Sequence, residues 1–241
     1  GVADAARVLR LGATFKKHPT VAIAMGEAGV FTRVLGAKFG APITYAGFNP
    51  ERIFAAGMLS FASLKNDYAY DQIDAETEVY GVIGDPIGHS LSPAIHNAGF
   101  RKLGLNKVMV PFQVAAGDLD AFFEELEWLG IRGCSVTIPH KTDVIAQVDH
   151  KEDIVEQTGS CNTVARNEDG SWSGYNTDCQ AAIASLEAAM GKPEDVDAPS
   201  PLLDKQVLIL GAGGVARSMA YGLRRRGAGT PVNWERIASS S

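Results

Sequence analysis

The sequence predicts an α/β protein, in which short buried strands alternate with helices and pair in parallel. Short apolar runs bounded by glycine or proline recur along the chain, as expected of buried strands, and helix-length stretches separate them. One apolar run is followed directly by a glycine-rich turn and then by a helix, an arrangement typical of parallel α/β sheets.

The first part of the sequence is predicted to form two strand–helix units. After a helix at 3–11, the apolar run 20–25 ends at a glycine and is expected to be a buried strand. A helix follows at 30–39, and a glycine and a proline end it. Residues 43–46 are expected to form the second strand, so the spacing favours parallel pairing.

A polar connector separates these units from the next part of the chain. A short helix at 58–68 leads into this connector, 71–78, which is the first predicted domain boundary. The strand 79–83 then begins a new α/β unit. A helix follows at 93–103, with Ser92 expected as its N-cap and a proline at its first position.

The alternation continues to a second connector, rich in proline and aspartate, at 191–204. The elements expected before it are strands at 108–112, 133–138 and 163–165 and helices at 119–129 and 179–190. After it come a strand at 206–210 and a helix that begins beyond Gly214. A Rossmann half needs at least three strands, and only one is clear here, so we expect the chain to be a piece of a longer protein.

Composition excludes several classes of protein. Of the 241 residues, 46% are hydrophobic and 21% charged, as in globular proteins. The net charge of −6 without a basic block argues against a nucleic-acid surface. No apolar run approaches the ~20 residues of a membrane span, and no signal-peptide core is present. Three cysteines without CxxC spacing indicate neither a disulfide framework nor a zinc site, so we expect a cytoplasmic protein without a metal.

The glycine-rich turn after the strand 206–210 has the G-x-G-x-x-(G/A) pattern of dinucleotide-binding sites. Its glycines allow a tight turn and a close approach of the backbone to a pyrophosphate, which the helix N-terminus attracts. The alternative is a plain structural turn. The candidate cofactor-binding residues are Gly211, Ala212, Gly213, Gly214 and Val215.

The residue that selects between NAD and NADP is expected about 20 residues further on. In that region Glu235 would favour a free ribose hydroxyl, whereas Arg236 would favour a 2′-phosphate. The choice between the two cofactors stays open.

Polar side chains follow the predicted strands where ligands bind to α/β sheets. Ser90 and Ser92 lie between a strand and a helix and could bind a substrate carboxylate, and the alternative for Ser92 is that it only caps the helix. Lys141 follows a strand and is either a proton donor or a solvated lysine. Asn162 offers an amide for hydroxyl recognition, and Asp178 is either a functional carboxylate or a helix N-cap.

In this order the motifs resemble shikimate dehydrogenase over about 79–226: Ser-x-Ser-Pro, Thr-x-Pro-x-Lys, Asn-Thr, Asn-Thr-Asp and the glycine-rich turn. The resemblance implies NADP-dependent, reversible reduction of 3-dehydroshikimate to shikimate, on the pathway to chorismate and the aromatic amino acids. Lys141 and Asp178 would form the catalytic pair, and Asp153 would lie near the cofactor. The implied substrate-binding residues are Ser90, Ser92, Thr137, Asn162 and Asp178.

The N-terminal part resembles the end of a type I 3-dehydroquinate dehydratase, a (β/α)8 barrel, in the motifs at 22–29 and 38–40. It would supply the last two strand–helix units, with Arg33 as a substrate contact. The catalytic lysine and its histidine partner of that family would precede residue 1. Phe54 and Met58 replace a serine and a glutamine of that family's late loop.

Together the resemblances imply part of a bifunctional enzyme that binds small molecules, with oligomeric state left open. The implied domains are a barrel remnant at 1–70, a linker at 71–78, a substrate domain at 79–190 and an incomplete Rossmann domain at 191–241. The alternatives are a quinate/shikimate dehydrogenase and a non-catalytic quinate-responsive regulator. A regulator has no need of an acid–base pair together with a cofactor turn, so their joint presence favours an enzyme.

Overall fold

The computed structural model describes residues 1–15, 17–49, 51, 54–191, 198–229 and 232–233. They form two compact units, 1–140 and 141–241, each described by itself below. Both units combine helices with strands, which pair in parallel in the first unit and in both directions in the second, and this confirms the α/β class. The domain boundaries at 71–78 and 191 concern family domains and stay predictions.

The first unit is built around three parallel strands in the order β2–β1–β3. The strands and their connecting helices are β1 (Glu78–Gly84), α4 (Ser92–Lys102), β2 (Lys107–Gln113), α5 (Leu119–Phe123), α6 (Leu126–Leu129) and β3 (Ile131–Val136). In the central strand Val79, Val82 and Ile83 are all buried, as expected of a strand covered on both faces. At Gly81 an added Cβ would lie 2.9 Å from the sulfur of Cys134, so the close packing requires glycine.

The segment before this sheet is helical and packs on it. Its helices are α1 (Val2–Thr14), α2 (Val30–Leu35) and α3 (Phe61–Asn66). Phe31 of α2 lies 4.8 Å from Phe112 of β2, measured between ring centroids. Phe39 stacks on Trp128 at 4.5 Å, and the guanidinium of Arg10 lies over the same indole.

Two predictions for this segment are wrong: 20–25 and 43–46 do not form strands. A strand exists only through hydrogen bonds to a neighbouring strand. Among the described residues the only β-type pairing near these runs is an isolated bridge between Gly47 and Ser60. The backbone N–H of Ala24 is bonded instead to the hydroxyl of Thr32. The helix expected at 30–39 also ends early, at Leu35, and a 3-10 turn follows it.

The N-cap prediction for Ser92 is wrong as well. Leu91 is the N-cap of α4, and Ser92 is the first helical residue. The hydroxyl oxygen of Ser90 accepts a hydrogen bond from the backbone N–H of Ser92 at 3.3 Å. The Ser90 hydroxyl therefore accepts a hydrogen bond from a free N–H group at the helix start, as an N-cap side chain does.

The second unit contains a small mixed sheet and two long helices. Its elements are β4 (His150–Lys151), α7 (Asp153–Thr158), β5 (Thr163–Arg166), β6 (Trp172–Tyr175), α8 (Thr177–Ala189), β7 (Leu208–Ile209), α9 (Gly214–Arg225) and β8 (Val232–Asn233). β5 and β6 form an antiparallel hairpin, and β4 pairs with β6 in parallel. Sequence analysis did not predict β6, although the Asp169-Gly170 pair before it is a hairpin signal, with Gly170 at φ +90°.

The glycine-rich turn opens a β–α–β unit. β7 leads into α9, and β8 returns to pair in parallel with β7. The sequence predicts only one clear strand after residue 204, and β8 shows that this prediction is wrong. No helix among the described residues has both the length and the apolar character that a membrane span requires.

Helices α8 and α9 share a small apolar core made by Cys179, Ile183, Leu202 and Leu223. Gly222 faces this core, and an added Cβ would lie 2.6 Å from both the Cys179 sulfur and Ile183 Cγ1. These are buried atoms of packed side chains, so the two helices approach this closely only because residue 222 is glycine.

We expect Gly222→Val to lower the free energy of unfolding by about 1–3 kcal/mol, because the added methyl groups overpack the α8–α9 core. Urea denaturation followed by circular dichroism measures this change. Gly99→Ala in α4 is the matched control, since no atom of the described part of the chain lies within 4 Å of its added Cβ. The control should gain about 0.5–1 kcal/mol from the lost flexibility of glycine, and equal stability of both variants would contradict the packing argument.

Candidate active site

Lys141 and Asp178 form an ion pair in the second unit. The Lys141 Nζ lies 2.6 Å from Asp178 Oδ2, and the two side chains are 17% and 28% exposed. A charge-assisted hydrogen bond of this kind is stronger than a neutral one, and the partial burial reduces screening by solvent. The pair is 37 residues apart in sequence, so only the fold brings the two groups together.

Asn162 holds the other oxygen of the same carboxylate. Its Nδ2 donates to Asp178 Oδ1 at 2.8 Å, and its Oδ1 accepts from the backbone N–H of Thr177 at 3.0 Å. Asp178 is therefore held between a cation and an amide. It is the second residue of α8, where the helix dipole also favours a negative charge, and Asn176 is the N-cap. The alternative that Asp178 is the N-cap is wrong.

Backbone hydrogen bonds place these three side chains. The N–H of Cys161 donates to the carbonyl of Lys141 at 2.7 Å, and the N–H of Asn162 donates to the carbonyl of Tyr175 at 3.0 Å. The second bond extends the β5–β6 hairpin by one residue and sets Asn162 beside the start of α8. These bonds join the cluster to the β5–β6 hairpin and to the loop that precedes it.

The glycine-rich turn fits a pyrophosphate. Gly211 has φ +118°, a conformation that only glycine adopts readily, and α9 begins at Gly214. A Cβ added at Gly211 or Gly213 would meet no atom of the described residues within 4 Å, so this part of the structure leaves the face above the turn open. The turn leads directly into α9, a 12-residue helix, so the first N–H groups of the helix and the positive end of its dipole lie at the turn.

The start of α9 is joined to the Lys141 region. Gly214 lies against Ser160, because an added Cβ would be 2.5 Å from the Ser160 hydroxyl and 3.8 Å from Lys141 Cβ. Arg217 donates to the carbonyl of Gly159 at 3.0 Å and to the hydroxyl of Thr142 at 3.2 Å. The glycine-rich turn and the ion pair therefore belong to one connected region of the second unit.

The other predicted substrate residues, Ser90, Ser92 and Thr137, lie in the first unit. All three are half-buried. The backbone N–H of Thr137 donates to the carbonyl of Ile83 at 2.9 Å, which places it at the carboxyl end of β1. His140, which sequence analysis did not assign, is 1% exposed and lies 2.7 Å from the Val114 carbonyl through Nε2. This bond ties the 137–140 loop to the end of β2.

Asp153 does not join the Lys141 cluster. It is the first residue of α7 and lines a separate cavity of about 560 Å³ with Arg225, the last residue of α9, and Arg226, its C-cap. The pKa of Arg225 is raised mainly by its hydrogen bond with Tyr221, and the negative charge of Asp153 raises it further. The cofactor role of Asp153 stays a prediction, and Glu235 and Arg236 lie outside the described residues.

Arg33 is buried in the first unit against the loop that contains the two replaced positions. Its Nε donates to the carbonyl of Gly57 at 2.9 Å, and burial lowers the pKa of its guanidinium. Phe54 in the same loop is 86% exposed. The arginine is thus held in place by the loop backbone, and its role as a substrate contact stays a prediction.

Comparisons with known proteins match two families in succession. Residues 1–75 match type I 3-dehydroquinase, and residues 82–164 match the shikimate dehydrogenase substrate binding domain. The bifunctional 3-dehydroquinate dehydratase/shikimate dehydrogenase of Arabidopsis thaliana, named chloroplastic, is 35% identical over 233 residues, which are 94% of this chain and 38% of that protein. The chain spans about half the length of the curated shikimate dehydrogenases that it matches.

The solved structures that resemble this chain include shikimate dehydrogenases as well. The shikimate dehydrogenase of Aquifex aeolicus is 37% identical with a TM-score of 0.60, covering 70% of this chain and 61% of that one. The enzyme of Thermus thermophilus, in complex with NADP(H) and shikimate, is 30% identical with a TM-score of 0.57, covering 67% and 59%. The chain therefore resembles part of a bifunctional 3-dehydroquinate dehydratase/shikimate dehydrogenase, with a type I 3-dehydroquinase segment followed by a shikimate dehydrogenase substrate binding domain.

Proposed function

We propose that this chain is part of an NADP-dependent shikimate dehydrogenase that reversibly reduces 3-dehydroshikimate to shikimate. The observation that carries the proposal is the 2.6 Å contact between Lys141 Nζ and Asp178 Oδ2, with Asn162 on the second carboxylate oxygen. A cation, a carboxylate and an amide so arranged suit a polyhydroxylated substrate, whose hydroxyl groups both donate and accept hydrogen bonds.

The proposed chemistry needs a proton at one oxygen. Reduction of a ring ketone produces an alkoxide, which must take up a proton. Oxidation of the alcohol is the reverse and releases a proton from the hydroxyl group. Lys141 as an ammonium has three N–H donors, of which Asp178 engages one, and donates a proton to the substrate oxygen. Asp178 keeps the ammonium oriented and accepts a hydrogen bond from the substrate hydroxyl. General acid–base catalysis of this kind contributes about 10²–10⁴-fold.

The cofactor supplies the hydride when it is bound. Its pyrophosphate would be held by the backbone of Gly211–Val215 at the start of α9, where the open face of the turn fits it. The preference for NADP rests on the names of the similar enzymes and on the NADP(H) in the Thermus structure.

We further propose that the whole protein also carries a 3-dehydroquinate dehydratase, to which residues 1–75 belong. The Arabidopsis relative combines both activities in its name. A cytoplasmic location stays a prediction, since that relative is named chloroplastic.

The full-length protein should form NADPH when it is given shikimate and NADP⁺, and the absorbance of the reduced cofactor measures the rate. Parallel assays with NAD⁺ and with quinate test the preferences for cofactor and substrate. Quinate oxidised faster than shikimate would favour the quinate dehydrogenase. Tight shikimate binding without any NADPH formation would point to a regulator and refute the proposed activity.

A further inference from the structure

Asn176 forms a buried link that has no part in the catalysis or substrate binding proposed above. Its Nδ2 donates to the carbonyl of Ser160 and to the hydroxyl of Ser218, each at 2.8 Å. The Ser218 hydroxyl in turn donates to the carbonyl of Gly214 at 2.9 Å. Asn176 is 3% exposed, and both serines are 0% exposed, so water cannot replace these bonds.

The orientation of the amide is determined by its partners. The Ser160 carbonyl can only accept, and the single hydroxyl hydrogen of Ser218 is used by Gly214. Both neighbours therefore require the NH₂ side of Asn176. A donor with two N–H groups is needed at this position, which excludes aspartate and any hydroxyl side chain.

The link joins three segments that meet at the candidate active site. Ser160 lies two residues before Asn162, and Asn176 lies two residues before Asp178. Ser218 lies one turn into α9, whose first residue, Gly214, closes the cofactor turn. Between Ser160 and Asn162, the Cys161 N–H bonds to the Lys141 carbonyl. A displacement of α9 is thus transmitted by short, buried hydrogen bonds to the loops that carry the acid–base pair.

We propose that Asn176, acting through Ser218, is a positioning residue that sets the cofactor helix α9 relative to Lys141 and Asp178. The inference rests on the proposed dehydrogenase function. Its side chain does not contact the Lys141–Asp178 pair in the described hydrogen bonds, so we expect Asn176→Ala to keep the bonds that join Lys141 and Asn162 to Asp178. What changes is the distance between the turn that holds the cofactor and the groups that hold the substrate.

Hydride transfer is sensitive to this distance, since a misplacement of about 1 Å costs on the order of 10²-fold in rate. In the full-length protein, Asn176→Ala should lower kcat for shikimate oxidation by about 10–100-fold. The Kd of shikimate, measured calorimetrically without cofactor, should change less than about twofold. The primary deuterium isotope effect on kcat should rise, because the hydride step becomes slower than product release.

Ser218→Ala is the second variant, and its small change in volume keeps the fold if Asn176→Ala does not. It should show the same pattern more weakly. Combining both substitutions should be no worse than Asn176→Ala alone, since each breaks the same link. Asn97→Ala is the control for a merely structural role: Asn97 is 2% exposed and bonded twice to the backbone of Met109, so it should lose stability without a change in kcat.

The outcomes separate the two proposals. A wild-type protein that does not oxidise shikimate refutes the proposed function. A wild-type protein that is active while both the Asn176 and Ser218 variants keep its kcat and isotope effect refutes the positioning role. A parallel loss of shikimate affinity and kcat, or effects of the two substitutions that simply multiply, would also overturn it.

Discussion

Lys141→Ala should lower kcat for shikimate oxidation by about 10²–10⁴-fold in the full-length protein, the range of one general acid–base group. The substitution removes the ammonium that exchanges a proton with the substrate oxygen and leaves the carboxylate of Asp178 without its cation. Asn162 still bonds to the other carboxylate oxygen, so the pocket keeps its hydroxyl-binding groups. Shikimate affinity should therefore fall much less than kcat.

The measurement is steady-state NADPH formation together with calorimetric titration of shikimate. Lys151→Ala is the matched control, because Lys151 is an exposed lysine of the same unit and lies outside the ion pair. Its kinetics should equal those of the wild type. If Lys141→Ala kept the wild-type rate, the assignment of the acid–base role would be wrong, and an equal loss of rate and affinity would assign Lys141 to binding alone.

Sequence reasoning was most successful where several weak signals had to meet in space. Lys141, Asn162 and Asp178 are each ordinary residues in sequence, and their proximity was predicted only from the order of the motifs. The structure brings these three together within hydrogen-bonding distance. Asn162 precedes β5 and Asp178 follows β6, and the antiparallel pairing of these two strands places the two residues side by side.

The failures occurred where structure depends on partners that are distant in sequence. The runs 20–25 and 43–46 have the apolar composition of strands, but a strand needs a neighbouring strand. Near these two runs the described residues contain only one isolated β-bridge. The β8 strand was missed for the converse reason, since two residues suffice when β7 lies alongside. Local composition contains no information about either pairing.

Asn176 shows a third limit of sequence reasoning. In sequence it is one asparagine before a Thr-Asp pair, with no periodicity or charge to distinguish it. Its importance is visible only in the fold, where its two N–H groups meet acceptors from segments 16 and 42 residues away. A buried asparagine at a helix N-cap is a signal worth following, because such a residue must find partners for its amide.

Asp178→Asn should also lower kcat by about 10²-fold or more, and here the shape of the side chain is kept. The amide has no negative charge to orient the Lys141 ammonium or to attract a substrate hydroxyl. Asn162 can still donate to the remaining oxygen, so the loop should keep its place. Both members of the ion pair are partly exposed, so stability should fall by no more than about 1 kcal/mol.

The control for this substitution is Asp169→Asn in the β5–β6 turn. Asp169 accepts hydrogen bonds from the backbone and hydroxyl of Ser171, and an asparagine oxygen can accept the same bonds. We expect wild-type kinetics for the control. Since Lys141 and Asp178 act as one unit, the double variant Lys141→Ala/Asp178→Asn should be little slower than Lys141→Ala alone. Losses that multiply would show that the two side chains act independently and that their 2.6 Å contact is not what drives proton transfer.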